Sequence, residues 1–197
     1  MKVIAFFDFD GTITRQDSLL GFLIYSTPIF KLLLGFIFFL PSFFFMKIGL
    51  KEKSRVKEEL FCFFFKGIPE DIFLSLSNSF ADKHLFKTIR PDAKDRIEWH
   101  KFHGHEVVVV SASPEAWVGP ICEELGISFI TTRLEVVNGK ITGSFIGKNC
   151  NGEEKVRRIK ERYDVANYKT IYAYGDTQGD VPMLDIADNK GYKFFKR

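Results

Sequence analysis

Apolar and polar positions divide the chain into three stretches with different rhythms. Residues 3–7 form an unbroken apolar run with β-branched and aromatic members, the pattern of a strand buried on both faces. The run ends at DFDGT, a glycine-containing turn that carries Asp8 and Asp10. From residue 17 to about residue 87 no strand alternation is visible. There KEKSRVKEELFCFFFKG predicts a helix with charges on one side and Leu60, Phe61 and Phe64 on the other. PEDIFLSLSNSFADKHLF predicts a second helix, with Pro69 and acidic residues at its start. From Arg90 onward the rhythm changes to alternation of elements. RPDAKDRIEWHKFHG and PEAWVGPICEELG predict helices closed by Gly104 and Gly126. EVVVVSAS, ISFITT and KTIYAYGD predict strands, GEEKVRRIKERYD and VPMLDIAD further helices, and GYKFFK a last strand. Asn138-Gly139 between two short alternating runs predicts a hairpin.

Strands alternating with helices imply an α/β fold, a parallel sheet with helices on both faces that the first strand joins. The helical segment between is then an insertion: residues 1–16 and 89–197 form the core, and residues 17–88 a helical cap. The cap holds the third rhythm, an apolar segment over residues 19–50 that includes KLLLGFIFFLPSFFFMKIGL. A spanning helix needs about 20 apolar residues. Counting back past Lys31 to Leu19 reaches that length at the cost of one charge and Pro28, and Pro41 interrupts the run, so a simple spanning helix is an imperfect fit. Two short re-entrant or interfacial helices broken at Pro41 are the expected form, in contact with a membrane surface or lipid. The other reading buries these side chains against the core, which a small cap does with difficulty.

Composition adds limits. A chain of 197 residues with 46% hydrophobic and 27% charged residues folds as a globular protein, and a net charge of +3 gives no ground for nucleic-acid binding. Cys62, Cys122 and Cys150 are widely spaced, so neither a zinc site nor a disulfide framework is indicated. Their odd number fits a reducing compartment, and a signal core would not carry Asp8 and Asp10. The expected location is therefore cytoplasmic, at the cytoplasmic face of the inner membrane if the apolar segment docks there. His100, His103 and His105 read as the end of a surface helix, and Trp99 and Trp117 as packing residues.

The chemistry lies at the strand ends, where open α/β sheets bind ligands. Asp8 and Asp10, Ser111 and Ser113, and Asp176 and Asp180 each follow an apolar strand. A parallel sheet brings these clusters to one edge, where four carboxylates repel one another. A hard divalent cation such as Mg²⁺ relieves that repulsion and suits a substrate phosphate. Ser111, Ser113 and the amides opening the next helix supply donors for the phosphate.

DFDGT, VVVVSAS and YGDTQGD, in this order, resemble the signature motifs of the haloacid-dehalogenase (HAD) superfamily, and the helical insertion after the first motif resembles its phosphoserine-phosphatase-like branch. The resemblance implies a Rossmann-like core and a Mg²⁺-dependent phosphomonoester hydrolase working through an aspartyl-phosphate. Asp8 is then the nucleophile and Asp10 the general acid and base. Ser111 and the Ala112 segment, with Lys155, hold the phosphate. Asp8, the Asp10 carbonyl and Asp176 hold the metal, with Asp180 orienting its waters. NCNGEEKVRR supplies Lys155, with Lys148 as the alternative. Phosphoserine phosphatases place the lysine where this chain has Asn151, and a glutamate near the substrate amine where it has Asp17. Both departures weigh against strict phosphoserine specificity. Asp17 reads as a substrate residue or as a helix cap. The apolar cap and the GEEKV run resemble bacterial HAD-type phosphatidylglycerophosphatases, which implies a lipid phosphate as substrate. The alternatives are a soluble phosphatase for phosphoserine or another small metabolite, and a membrane-bound binding protein without turnover.

Overall fold

The computed structural model describes residues 2–195. Five parallel strands form the central sheet, in the order β3-β2-β1-β6-β7. They are β1 (Lys2–Phe7), β2 (Glu106–Pro114), β3 (Ser128–Thr132), β6 (Tyr168–Gly175) and β7 (Asn189–Tyr192). Strand alternation splits the core in two. Ala5, Phe7, Val107 and Val109 face one side, and Ile4, Phe6, Val108 and Val110 the other. The second side is covered by α7 (Glu153–Arg162) and α8 (Val181–Asp185), through residues such as Ile159 and Met183. The first is covered by α5 (Pro91–Phe102) and α6 (Glu115–Leu125), through Ile97 and Trp117. The last strand is shifted: it pairs Asn189–Tyr192 with β6 instead of spanning residues 191–196, and Lys196 lies outside the described residues.

The insertion leaves and re-enters the core side by side. Thr14 and Ile89 form an antiparallel bridge, with Arg15 N donating to Thr88 O and Arg90 N to Ile13 O. Between them lie α1 (Ser18–Ser26), α2 (Ile29–Lys47), α3 (Lys53–Phe65) and α4 (Glu70–Phe80). Much of the phenylalanine content is packed here. Phe22, Phe61, Phe65, Phe73 and Phe80 are buried and continuous, through Trp117, with the core under the sheet. The cap thus buries more aromatic surface than its size suggests.

The hairpin of β4 (Leu134–Val137) and β5 (Lys140–Phe145) turns at Asn138 and Gly139, both with positive φ, as a type I′ turn requires. It falls within residues 89–197, yet it stands outside the main sheet and serves the cap. Glu70 N donates to Gly139 O, Gly67 N to Ile141 O, and Ile141 N to Ile68 O. Gly143 lies so close to α3 that a Cβ there would come within 2.4 Å of Cys62 Cα. The inserted helices are therefore completed by a hairpin from the second half of the chain.

The apolar segment departs from expectation. α2 is a single helix of 19 residues that runs through Pro41. At 1.5 Å per residue it is about 28 Å long. The proline removes the donor to the Ile37 carbonyl, a cost reduced because Pro41 and Ile37 both face outward, where water or another polar group reaches the carbonyl. Only Gly35 and Phe39 of α2 are buried. With Leu32, Ser42, Phe43 and Met46, which are half-buried, they form the narrow stripe laid against the cap. A Cβ on Gly35 would meet the Phe64 ring at 2.3 Å, so only glycine permits this approach to α3. Phe30, Leu33, Leu34, Phe36, Ile37 and Phe44 are all more than half exposed. By length and composition α2 is the one helix among the described residues able to cross a membrane.

The histidine cluster also differs. His100 is fully buried, not a surface decoration. Its ring nitrogens meet His105 Nδ1 at 2.8 Å and the Tyr174 hydroxyl at 3.0 Å, and Arg96 Nε donates to the same hydroxyl. Burial, together with Arg96 and the neighbouring histidines, pushes His100 down to about 3, which keeps it neutral.

Candidate active site

Three strand ends and one helix start build the site at the carboxyl edge of the sheet. After β1, Asp8 N still donates to Tyr174 O, so the Asp8 side chain leaves a backbone fixed by the sheet. The chain then turns sharply through Gly11, at φ 80°, where a Cβ would come within 2.6 Å of Asp176 Oδ2. That turn brings the Thr12 hydroxyl to Asp176 Oδ1 at 3.2 Å and sends Asp10 to the cap side.

Lys155, in the first turn of α7, reaches the centre of the site. Its ammonium donates to Asp8 Oδ1 at 2.6 Å, Asp180 Oδ1 at 2.7 Å and the Val110 carbonyl at 2.7 Å. All three groups are buried with it, so each of its protons has a partner. Burial alone would lower the lysine, but the Asp8 and Asp180 carboxylates outweigh it and hold Lys155 above its ordinary value. Lys148 lies apart on the surface, where its carbonyl accepts from Arg158. Asp8 is pushed up to about 7, first by burial and then by Asp180, with Lys155 opposing both. Among the described residues no protein donor reaches Asp8 Oδ2, so that oxygen keeps lone pairs for a ligand.

Asp180 is held otherwise. Its Oδ2 accepts from the amides of Asp176 and Thr177 and from the Thr177 hydroxyl, closing a capping box. Burial raises its carboxyl, but Lys155 and these donors bring it below the ordinary range. Gly175 permits this fold-back, since a Cβ there would lie 2.4 Å from Asp180 Cβ.

Asp8, Asp176 and Asp180 each present a carboxylate oxygen, all within 4.8 Å of one another. This all-oxygen, anionic, buried donor set fits a hard divalent cation such as Mg²⁺. The four carboxylates do not share one pocket, because the Asp10 side chain stands outside the group. Its Oδ1 accepts from Ser18 N at 2.8 Å, and its Oδ2 accepts from the Ser113 hydroxyl. The Ser18 hydroxyl donates to Ser113 Oγ and receives the indole N–H of Trp117, so a buried chain of hydrogen bonds ends on Asp10. Burial and the charge of Asp17 raise Asp10, while Ser113 and Lys57 lower it.

Ser111 is buried beside this network, and its hydroxyl accepts from Ser113 N at 3.0 Å. Ala112 is half-buried, and its carbonyl accepts from Lys57 Nζ at 3.0 Å. Lys57 comes from the cap helix α3 and faces the Asp10, Asp17 and Asp8 carboxylates; burial nonetheless lowers it. In sequence Lys57 is one charge among many in KEKSRVKEE, and only the docking of α3 over the site singles it out. Asp17 is exposed and caps α1 by accepting from Leu20 N.

Residues 5–185 match the family of haloacid dehalogenase-like hydrolases. The chain belongs to that family, and its parallel sheet and strand-end carboxylates are a HAD core. It is 33% identical over 202 residues to protein CicA of Caulobacter vibrioides, covering 98% of this chain and 87% of that protein. It is 35% identical over 210 residues to the probable phosphatase Rv3661 of Mycobacterium tuberculosis, covering 94% of this chain and 67% of that one. Among solved structures, a Bordetella pertussis Tohama I protein superposes with a TM-score of 0.85 at 20% identity, over 96% of this chain and 89% of that one. A substrate-bound phosphoserine phosphatase superposes with a TM-score of 0.70 at 20% identity, over 100% and 90%. Both share the fold, inserted helices included.

Proposed function

We propose that this protein is a Mg²⁺-dependent phosphomonoesterase acting on a lipid phosphate, such as phosphatidylglycerophosphate, at the cytoplasmic face of a membrane. The phosphatase chemistry rests on one arrangement: a buried carboxylate, Asp8, with one oxygen held by Lys155 and the other open to a ligand. Asp8 Oδ2 attacks phosphorus as the ester oxygen leaves. Asp10, kept above the ordinary carboxylate range, gives that oxygen its proton. Asp10 then takes a proton from water, which attacks phosphorus and returns Asp8 with release of phosphate. Ser111 and the Ala112 segment hold the phosphoryl oxygens, and Lys155 joins them as the phosphate takes the place of one of its three partners. Asp8, the Asp10 carbonyl and Asp176 would hold Mg²⁺, which when bound neutralises phosphate charge in the transition state. Asp180, already anchored by Thr177, positions rather than reacts.

The lipid assignment rests on α2. A helix with all but a narrow stripe of its apolar surface exposed costs a soluble protein solubility, and such a patch marks an interaction surface. It sits in the insertion beside the catalytic mouth, where a phosphate on a membrane-resident molecule can reach Asp8. The test compares turnover of phosphatidylglycerophosphate in vesicles with phosphoserine and phenyl phosphate. The lipid is the expected preferred substrate, with chelation abolishing activity, Mg²⁺ restoring it and Asp8→Asn inactive. Replacing the exposed Phe30, Leu34, Ile37 and Phe44 together by Ser is expected to lower vesicle binding and the ratio of lipid to phenyl phosphate turnover at least tenfold, since burying each side chain is worth about 1.5–3 kcal/mol. An unchanged ratio, or a preference for phosphoserine, refutes the lipid reading.

A further inference from the structure

Between α1, α2 and α3 lies a groove of about 450 Å³, a volume within the ~300–1,000 Å³ typical of small-molecule sites. Twelve residues line it, and Asp17 is the one charged residue among them. Leu20 and Ile24 line it from α1, Leu33 and Phe36 from α2, and Leu60 with Phe64 from α3. The four from α1 and α2 are each more than half accessible, so the groove is open instead of being a void inside the cap.

Its position gives it direction. Asp17, the cap at the start of α1, is part of its lining, and the next residue, Ser18, donates its amide to Asp10 Oδ1 at 2.8 Å. The groove therefore reaches the neighbourhood of Asp10, and the rest of its lining is apolar. A molecule bound with its phosphate at Asp8 has its leaving group directed past Asp10 toward the groove. At the outer wall the groove passes into the exposed face of α2, so a chain entering it need not cross water from a bilayer.

From this geometry we infer that the groove is an acyl- or alkyl-chain site that receives the apolar tail of the phosphate substrate. The inference rests on the lipid-phosphate reading above and gives it a binding locus. α2 then has two surfaces with two tasks: the outer face contacts the membrane, and the Leu33–Phe36 edge holds one chain drawn from it. Gly35 is what lets α2 sit close against Phe64.

The test uses equilibrium binding, so that it does not depend on turnover. Affinities of n-alkylphosphonates from ethyl to decyl are measured by calorimetry with Mg²⁺ present, below their micelle concentrations. Each methylene that enters an apolar groove tightens binding about two- to fourfold. The expected series rises with chain length and levels off when the groove is full. Ile24→Trp and Leu33→Trp, at exposed wall positions, fill it and bring the plateau to shorter chains, read as the decyl-to-ethyl affinity ratio within each protein. A ratio near one in the unaltered protein overturns the inference, and so does a plateau that neither tryptophan moves. Light scattering is run alongside: a dimer that Leu33→Trp dissociates, with no effect of chain length, assigns the groove to a second copy and also overturns it. A chain-length series with no turnover of any alkyl phosphate would leave the groove standing and remove the phosphatase reading. Turnover of vesicle lipid without the series would do the reverse.

Discussion

Lys155→Met isolates what the buried lysine does. The two side chains are close in volume, so the change removes charge and three hydrogen bonds without opening a large cavity. What remains is Asp8 and Asp180, both buried and without the cation that lay 2.6 and 2.7 Å from them. Breaking a buried ion pair from one side costs about 3–5 kcal/mol. The protein has an escape, which sets a ceiling. Asp8 can take a proton, and because it is already pushed up to about 7 in the natural protein, that step adds little at pH 7 to what the natural protein already bears. Asp8 is thus relieved by protonation, and the stranded Asp180, which the lysine helps hold below the ordinary range, sets a loss of at most about 3–5 kcal/mol, or roughly 6–20 °C in Tm for a chain of this size. Asp180 also fixes the pH dependence. Because the lysine helps hold Asp180 below the ordinary range, the variant's Asp180 takes a proton at higher pH than the natural protein's, and the loss shrinks as pH falls. Urea unfolding in chelator is the assay, since a bound cation would replace the lysine's charge. Asp180→Asn added to Lys155→Met removes the stranded carboxylate and is expected to recover at least half of the lost stability. A loss below about 1 kcal/mol, or a double variant no more stable than the single one, would show that Lys155 is not the charge that holds this site together.

Two further outcomes follow from the hydrogen-bond networks. His100 is held down to about 3 in the folded protein, so below its ordinary value of 6.5 the unfolded chain gains a proton that the folded chain refuses. Its contribution to stability is thus full above 6.5 and falls by up to about 1.4 kcal/mol per pH unit as pH drops toward 3. The stability gap between the natural protein and His100→Gln, read by thermal unfolding from pH 7 to 5, is expected to narrow with acid; a constant gap refutes this. Ser113→Ala removes the hydroxyl that lowers Asp10, so Asp10 keeps its proton to higher pH and the alkaline limb of kcat/KM moves upward. An unmoved or lowered limb would mean that Asp10 is not the acid.

Pattern alone determined the core. Alternation of buried strands and helices specifies a parallel sheet, because each helix must return the chain to the same edge, and Asp8, Ser111 and Asp176 are at that edge because each follows an apolar run. By itself Lys155 reads as a solvated helix charge; only the family resemblance of NCNGEEKVRR pointed to it, with Lys148 as the alternative, and reach from α7 to Asp8 separates them. What the sequence could not show depends on contacts between distant segments. Lys57 resembles any surface lysine until α3 lies over the site. His100 looks like the tail of an exposed helix until Tyr174 and His105 close over it. The β4–β5 hairpin was visible as a hairpin, but its attachment to the cap depends on Gly143 meeting Cys62, a pairing no local pattern encodes. The phenylalanines are the clearest case. Their number is a property of the sequence, but the tertiary structure divides them, burying Phe22, Phe61 and Phe73 inside the cap and leaving Phe30, Phe36 and Phe44 on its outside. Hydrophobicity fixes that such residues leave water; which surface receives them is decided by the helix packing, here by a single stripe through Gly35 and Phe39.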